Sequence, residues 1–208
     1  MKLGKEAMEA LRAEITGRLL PGDELVVVGA VALKGTAVIA ERKYSYLRQY
    51  FSEGFMQDSI RIRENFGVGG IPQQSRAWQM AVKAGASALY AMGEGGVLSA
   101  LWKMAEASQV GLEADLRKIP IRQESIEICE RFDLNPYKLL SDGAILLGIR
   151  GGEALAGEYR RMGLPAAVIG QTNSGNDRLL YSGENARYLE RPSADEIGRI
   201  KQEEVWRD

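Results

Sequence analysis

Short apolar runs interspersed with amphipathic stretches predict a mixed β-sheet with helices packed on its faces. Three observations carry this. Leu25–Ala30 and Ala144–Ile149 are continuous apolar runs of strand length, as buried strands are. Leu112-Glu-Ala-Asp-Leu116 alternates apolar and acidic residues, as a half-buried strand does. Between these runs, apolar residues recur every three or four positions, the period of a helix face.

The elements follow in order. Residues 4–19 place Ala7, Met8, Leu11, Ile15 and Leu19 on one helical face, and Pro21-Gly22-Asp23 stops the helix. Leu25–Ala30 is then a strand, and Thr36–Ala40 reads as a second strand or as the start of the next helix. Tyr44, Leu47, Phe51 and Phe55 recur at helical spacing, so a helix is expected over 41–61, although Gly54 falls inside it. Its aromatic stripe belongs to the core before it belongs to a ligand. Asn65-Phe-Gly-Val-Gly-Gly-Ile-Pro72 is a loop by its glycines and proline, and a helix over 76–84 follows.

Gly93-Glu94-Gly95-Gly96 precedes a helical run over 97–107. Glycines at a helix start leave backbone amides bare, which suits an anion, or they make a tight turn with close backbone packing. After strand 112–116 and Pro120, a short helix carries Ser125, Ile126, Cys129 and Phe132, with Ile126 and Cys129 expected inward. That apolar face predicts a buried structural thiol. Ser141-Asp142-Gly143 turns into strand 144–149, a helix follows over 153–162, and then a strand over 166–170. Asn173-Ser-Gly-Asn176 is turn-forming, so strands 166–170 and 178–181 read as a hairpin. The tail 194–206 reads as a charged helix whose Ile197, Ile200 and Val205 dock on the body.

Composition excludes several functions. The 27 basic residues balance 28 acidic ones, so no long-range field favours nucleic acid or an anionic membrane. No apolar stretch reaches bilayer length, and the first residues do not form a signal peptide. A single cysteine rules out an internal disulfide and a multi-cysteine metal site, and a cytoplasmic location is expected. There is no histidine, which removes the commonest general base and metal ligand and every Ser-His or Cys-His nucleophile pair. No catalytic residue and no metal site is expected.

An ordered set of segments resembles the C-terminal domain of the AIR synthase-related superfamily, most closely its HypE-like branch. The set is Pro21-Gly-Asp before an apolar strand, Leu33-Lys-Gly-Thr-Ala-Val-Ile-Ala40, Glu94-Gly-Gly before a helix, Ala105-Glu-Ala-Ser108, Lys118-Ile-Pro-Ile121, Leu134-Asn-Pro-Tyr137 and Ala167-Val-Ile-Gly170. The resemblance implies an α+β fold with helices on both faces of a mixed sheet. It divides the chain into an N-terminal helical arm (1–20), the domain (21–192) and a C-terminal helix (193–208). Family members carry an ATP-binding domain ahead of this one, and only about twenty residues precede Pro21 here. They commonly carry an acidic residue shortly before the glycine pair, where this chain has Tyr90 and Ala91. The HypE type ends in a reacting cysteine; this chain ends in Val205-Trp-Arg-Asp208.

These features lead to an expectation of a non-catalytic ligand-binding or accessory protein. Its candidate ligand contacts are Gly93, Glu94, Gly95 and Gly96, with Gly67, Gly69 and Gly70 of the earlier loop, and a phosphate-bearing small molecule is the expected ligand. No cofactor is expected, with ATP entering only if a partner half supplies its site. The alternatives are the C-terminal half of a split ATP-dependent enzyme, as in hydrogenase maturation, and a purely structural protein whose glycine cleft is closed. A homodimer is expected because apolar surface left by the missing partner domain needs cover.

Overall fold

The computed structural model describes residues 3–200. Its strands are β1 (Thr16–Gly17), β2 (Glu24–Val28), β3 (Ala88–Ala91), β4 (Gly111–Asp115), β5 (Ile145–Ile149), β6 (Ala166–Asn173), β7 (Arg178–Ser182) and β8 (Asn185–Tyr188). They form one eight-stranded sheet in the order β1-β3-β5-β2-β6-β4-β7-β8. Neighbours are antiparallel except β4 and β7, which run parallel. β5 is buried along its whole length, and β2 everywhere but Glu24, which is why both read as continuous apolar runs. β4 buries Leu112 and Ala114 and leaves Glu113 and Asp115 half-exposed, as its alternation predicts.

The helices are α1 (Lys5–Ala13), α2 (Leu33–Arg42), α3 (Tyr44–Leu47), α4 (Glu53–Ile60), α5 (Ile62–Phe66), α6 (Arg76–Lys83), α7 (Gly96–Ser108), α8 (Gln123–Arg131) and α9 (Gly152–Arg161). One sheet face, with Leu25, Val27, Leu112 and Leu146, packs on α7 and on Leu11 of α1. The other, with Val26, Val28, Leu147 and Ile149, packs on Trp78 of α6 and Tyr159 of α9. Each fully buried side chain of this size contributes about 1.5–3 kcal/mol by leaving water. The fold is therefore α+β with helices on both faces. A separate helical cluster holds Ile39, Leu47, Met56, Ile128 and Leu139 and contains no strand residue. No helix among the described residues is long and apolar enough to cross a membrane.

Several expectations change. Thr36–Ala40 is helix, inside α2. The helix expected over 41–61 breaks after Leu47 and restarts at α4, because Ser52 caps it: its hydroxyl oxygen accepts from Phe55 N at 3.2 Å. The stacked Phe51 and Phe55 rings, 4.3 Å apart, pack on the helical cluster as core. In α8 it is Ile128 that is buried with Cys129, while Ile126 is only half-buried. The first helix ends at Ala13, yet Ile15 and Leu19 remain buried beyond it.

Strands β6 and β7 do not form a hairpin. β4 lies between them, antiparallel to β6 and parallel to β7. The Asn173–Asn176 turn forms locally, with Gly175 N donating to Asn173 Oδ1 at 2.8 Å, but it bridges over Gly111 at the start of β4. The hairpin is β7–β8, where Ser182 pairs with Asn185 across the two-residue loop Gly183-Glu184. Of the expected tail helix, the described part is one 3-10 turn, Glu196–Arg199; residues 201–208 lie outside the described range.

Candidate functional site

The glycine run after β3 turns the chain into α7. Gly95 and Gly96 have φ of +75° and +62°, which glycine adopts without strain. A Cβ on Gly96 would lie 2.5 Å from the Tyr137 carbonyl oxygen and 2.8 Å from that of Leu139. The Leu134-Asn-Pro-Tyr137 segment sets that approach, with Asn135 Oδ1 accepting from Tyr137 N at 3.0 Å. Close backbone packing therefore explains Gly96. The turn explains Gly95.

No side chain within α7 or at its N-cap caps the helix. The cap comes from the tail: Gly95 N donates to Asp195 Oδ2 at 2.6 Å. Asp195 Oδ1 accepts from Leu140 N at 3.2 Å and from Ile197 N at 2.8 Å. One carboxylate thus ties the α7 entrance, the segment after Tyr137 and the tail together. Beside it is a cavity of about 20 Å³ walled by Leu98, Leu180 and Leu189 and flanked by Lys138, Arg187 and Arg191. That volume holds about one water. The Arg191 guanidinium lies 5.8 Å from the Trp102 ring, and Lys138 Nζ lies 3.7 Å from Glu190.

Among the sequence candidates, Gly95 lines this cavity, while Gly93 and Gly96 form the turn into α7, Gly96 N donating to Gly93 O at 3.2 Å. Glu94 is exposed and is not part of the wall. The other loop lies elsewhere on the same support. Ser141 N donates to Gly93 O at 3.1 Å, and Val68 N donates to Gly143 O at 2.9 Å, so both loops hang on the turn at Ser141–Gly143. Gly67 is buried against Arg63 and Gly143 carbonyls, and Gly69 and Gly70 are exposed with open space around them. None of the three reaches the cavity wall. Asp195, Lys138, Arg187 and Arg191 were not singled out by the sequence. The only local signal was Asp195 immediately before a turn, and nothing local points across 100 residues to Gly95.

Tyr90, on β3 ahead of the glycine run, belongs to a polar cluster. Its hydroxyl is 3.0 Å from Lys103 Nζ, which is 2.8 Å from Glu14 Oε2. Burial pushes the phenol up. Burial pulls the Lys103 ammonium down, but hydrogen bonds to Glu14 and Tyr90 outweigh it and hold Lys103 protonated, unsuited to act as a base. Asp23 of the Pro-Gly-Asp segment is buried and structural, accepting from Leu20 N at 2.7 Å and from the Ser87 hydroxyl. Burial pushes the Cys129 thiol up to about 12, which makes it a poor nucleophile. No group of three or more His, Cys, Asp or Glu among the described residues is placed to hold a metal.

Around β6, β4 and β7, on the face α6 and α9 serve, a shallow groove of about 300 Å³ is lined by Glu24, Glu113, Asp115, Lys118, Val168 and Tyr181. Glu24 accepts from Gly152 N at the start of α9, and Asp115 pairs with Arg117 at 3.2 Å.

Among known proteins, carbamoyl dehydratase HypE of Rhodobacter capsulatus is 25% identical over 196 residues, 91% of this chain and 54% of that protein. A solved HypE in complex with ATP superposes with a TM-score of 0.64 at 18% identity, over 88% of this chain and 53% of that one. A HypE–HypF complex gives a TM-score of 0.59 at 18% identity, over 84% and 54%. At these identities the structures speak for the fold. The chain spans about half the length of the proteins it resembles. The model for the AIR synthase related protein, C-terminal domain, matches residues 21–181, most of the strands and helices described above, and the chain belongs to that family.

Proposed function

We propose that this chain is a non-catalytic ligand-binding or accessory member of its family, and that the α7 entrance seats the anionic group of a phosphate-bearing small molecule. One observation carries the reading: a carboxylate already sits on the Gly95 and Leu140 amides, beside a cavity flanked by Lys138, Arg187 and Arg191, three cations against the single acid Glu190. Bare amides, a helix dipole and cations together favour an oxyanion. With Asp195 in place the cavity is too small for a phosphate, so the ligand takes the place of the tail carboxylate.

Calorimetry with inorganic phosphate, pyrophosphate and AMP tests this. Wild-type binding that Lys138→Ala or Arg187→Ala each weakens about tenfold supports it, since a charged hydrogen bond contributes about 1.5–3 kcal/mol. No binding to the wild type and none to Asp195→Ala removes it.

A second reading is the C-terminal half of a split ATP-dependent enzyme. It is favoured by the uncovered groove on β6, β4 and β7. HypE is solved with ATP and with HypF, so in this reading the partner half supplies any nucleotide site. Co-purification of a separately encoded ATP-binding half supports it, and ATP hydrolysis by this chain alone contradicts both readings. The proposal includes a cytoplasmic homodimer using the N-terminal arm or the tail, and the exposed edge strand β8, with Tyr188 65% exposed, is a further surface for it. A light-scattering mass of one chain removes the dimer.

A further inference from the structure

The stretch from Leu189 to Ile200 crosses from the end of β8 to the helical cluster. Its only regular structure is the single turn Glu196–Arg199. Leu189 and Ile200, at its two ends, are buried in different cores, one under the sheet and one in the helical cluster. Between them Arg191, Ser193 and Ala194 are exposed. The middle is fixed to the body chiefly by Asp195, through the Gly95 and Leu140 amides, and beyond it by Arg199, whose Nη1 donates to Asp133 O at 2.7 Å. Glu190 and Lys138 add a looser contact at 3.7 Å.

We propose that Leu189–Ile200 is a strap that opens separately from the domain, that Asp195 is its latch, and that the latch competes with an oxyanion for the same amides. Its physical basis is the mismatch between the two sides. The floor is among the best-packed parts of the molecule, since the first six residues of α7 are all buried. The strap is a nearly extended segment with few buried side chains, the kind of element that opens locally at little free-energy cost. Opening breaks two carboxylate hydrogen bonds to the body, together with the Arg199–Asp133 contact and the packing of half-buried Ile197, and exposes the Leu98, Leu180 and Leu189 wall of the cavity. It also frees two amides from different segments, each aimed at one oxygen of the same carboxylate. A carboxylate and a phosphate oxygen make the same demand of an amide pair, so whichever binds excludes the other. Ligand binding and strap closure are then linked, and the strap lowers apparent affinity by the fraction of time it is shut.

The competition arm rests on the anion-seat reading above; the opening arm does not. Hydrogen exchange followed by mass spectrometry is measured on the full chain as wild type, Asp195→Ala and the milder Asp195→Asn, alongside calorimetry with pyrophosphate. The expected result is exchange in Asp195→Ala that rises about tenfold at Gly95, Leu140 and across the strap, with β2 and β5 unchanged. Trypsin cleavage at Arg199 accelerates with it, and pyrophosphate binds about tenfold more tightly. Unchanged exchange at Gly95 and Leu140 overturns the latch, and a rise shared by the whole sheet overturns separate opening. If the strap opens but neither variant nor wild type binds pyrophosphate, the competition and the anion-seat reading fall while the strap stands. Should Asp195→Ala not fold, Asp195→Asn decides on the same criteria with smaller changes.

Discussion

Two buried acids couple this fold to alkaline pH. Burial, and secondarily Glu196, pushes the Cys129 thiol up to about 12, and burial with Glu158 does the same to the Tyr159 phenol. Both folded values are raised above the unfolded ones of 9.0 and 10.0. The stability they contribute is fully present below those unfolded values and is lost as pH rises toward about 12, because the unfolded chain releases its protons first. Thermal melts between pH 8 and about 11 should therefore show a falling Tm, with a shallower fall in Cys129→Ala; equal slopes would show that the thiol is not the titrating group. Tyr159 also links two helices, its hydroxyl donating to Ala77 O at 2.7 Å. Tyr159→Phe should cost about 1–2 kcal/mol in urea unfolding. The inward thiol was legible from its helix face. Asp195 was not, since a carboxylate in a polar tail carries no sign of the amide it will meet.

Among the elements, those legible in the sequence were those whose pattern is local. β2 and β5 showed as apolar runs, β4 as an alternation, α6 as a helix over nearly its observed length. β3 escaped notice because Ala88–Ala91 is four residues long and its neighbours β1 and β5 are distant in the chain. The false hairpin has the same origin. Turn chemistry at Asn173 is real, but which strand lies beside β6 is decided by the arrival of β4 from 55 residues earlier. Gly111 makes that arrival possible: a Cβ there would lie 2.7 Å from Asp177 O and closer still to Asn173 Oδ1. Gly111→Ala should destabilise the domain by about 1–3 kcal/mol, read as a lower urea midpoint. A neutral outcome would mean that the turn yields instead of the strand.

On the scale of the whole molecule, the sheet and the helical cluster are cores of different quality. The sheet strands β2 and β5 are covered on both faces, whereas α4 buries only Met56 and Ser59. Amides of α4 should exchange about tenfold faster than those of β2 under native conditions, and equal rates would show that both cores open as one unit. The layer arrangement was legible because each face of the sheet leaves its own period in the sequence. The strand order was not, since it depends on pairings between segments far apart.

That order has a consequence for biosynthesis. The central strand β2, Glu24–Val28, is made long before both of its neighbours, β5 and β6, which begin at Ile145 and Ala166. A ribosome that has delivered the chain as far as Gly143 thus holds a valine-rich segment whose sheet neighbours have not been made. Pairing waits for β5 and β6 to emerge, and such long-range pairing is slow to form and leaves strand edges exposed meanwhile.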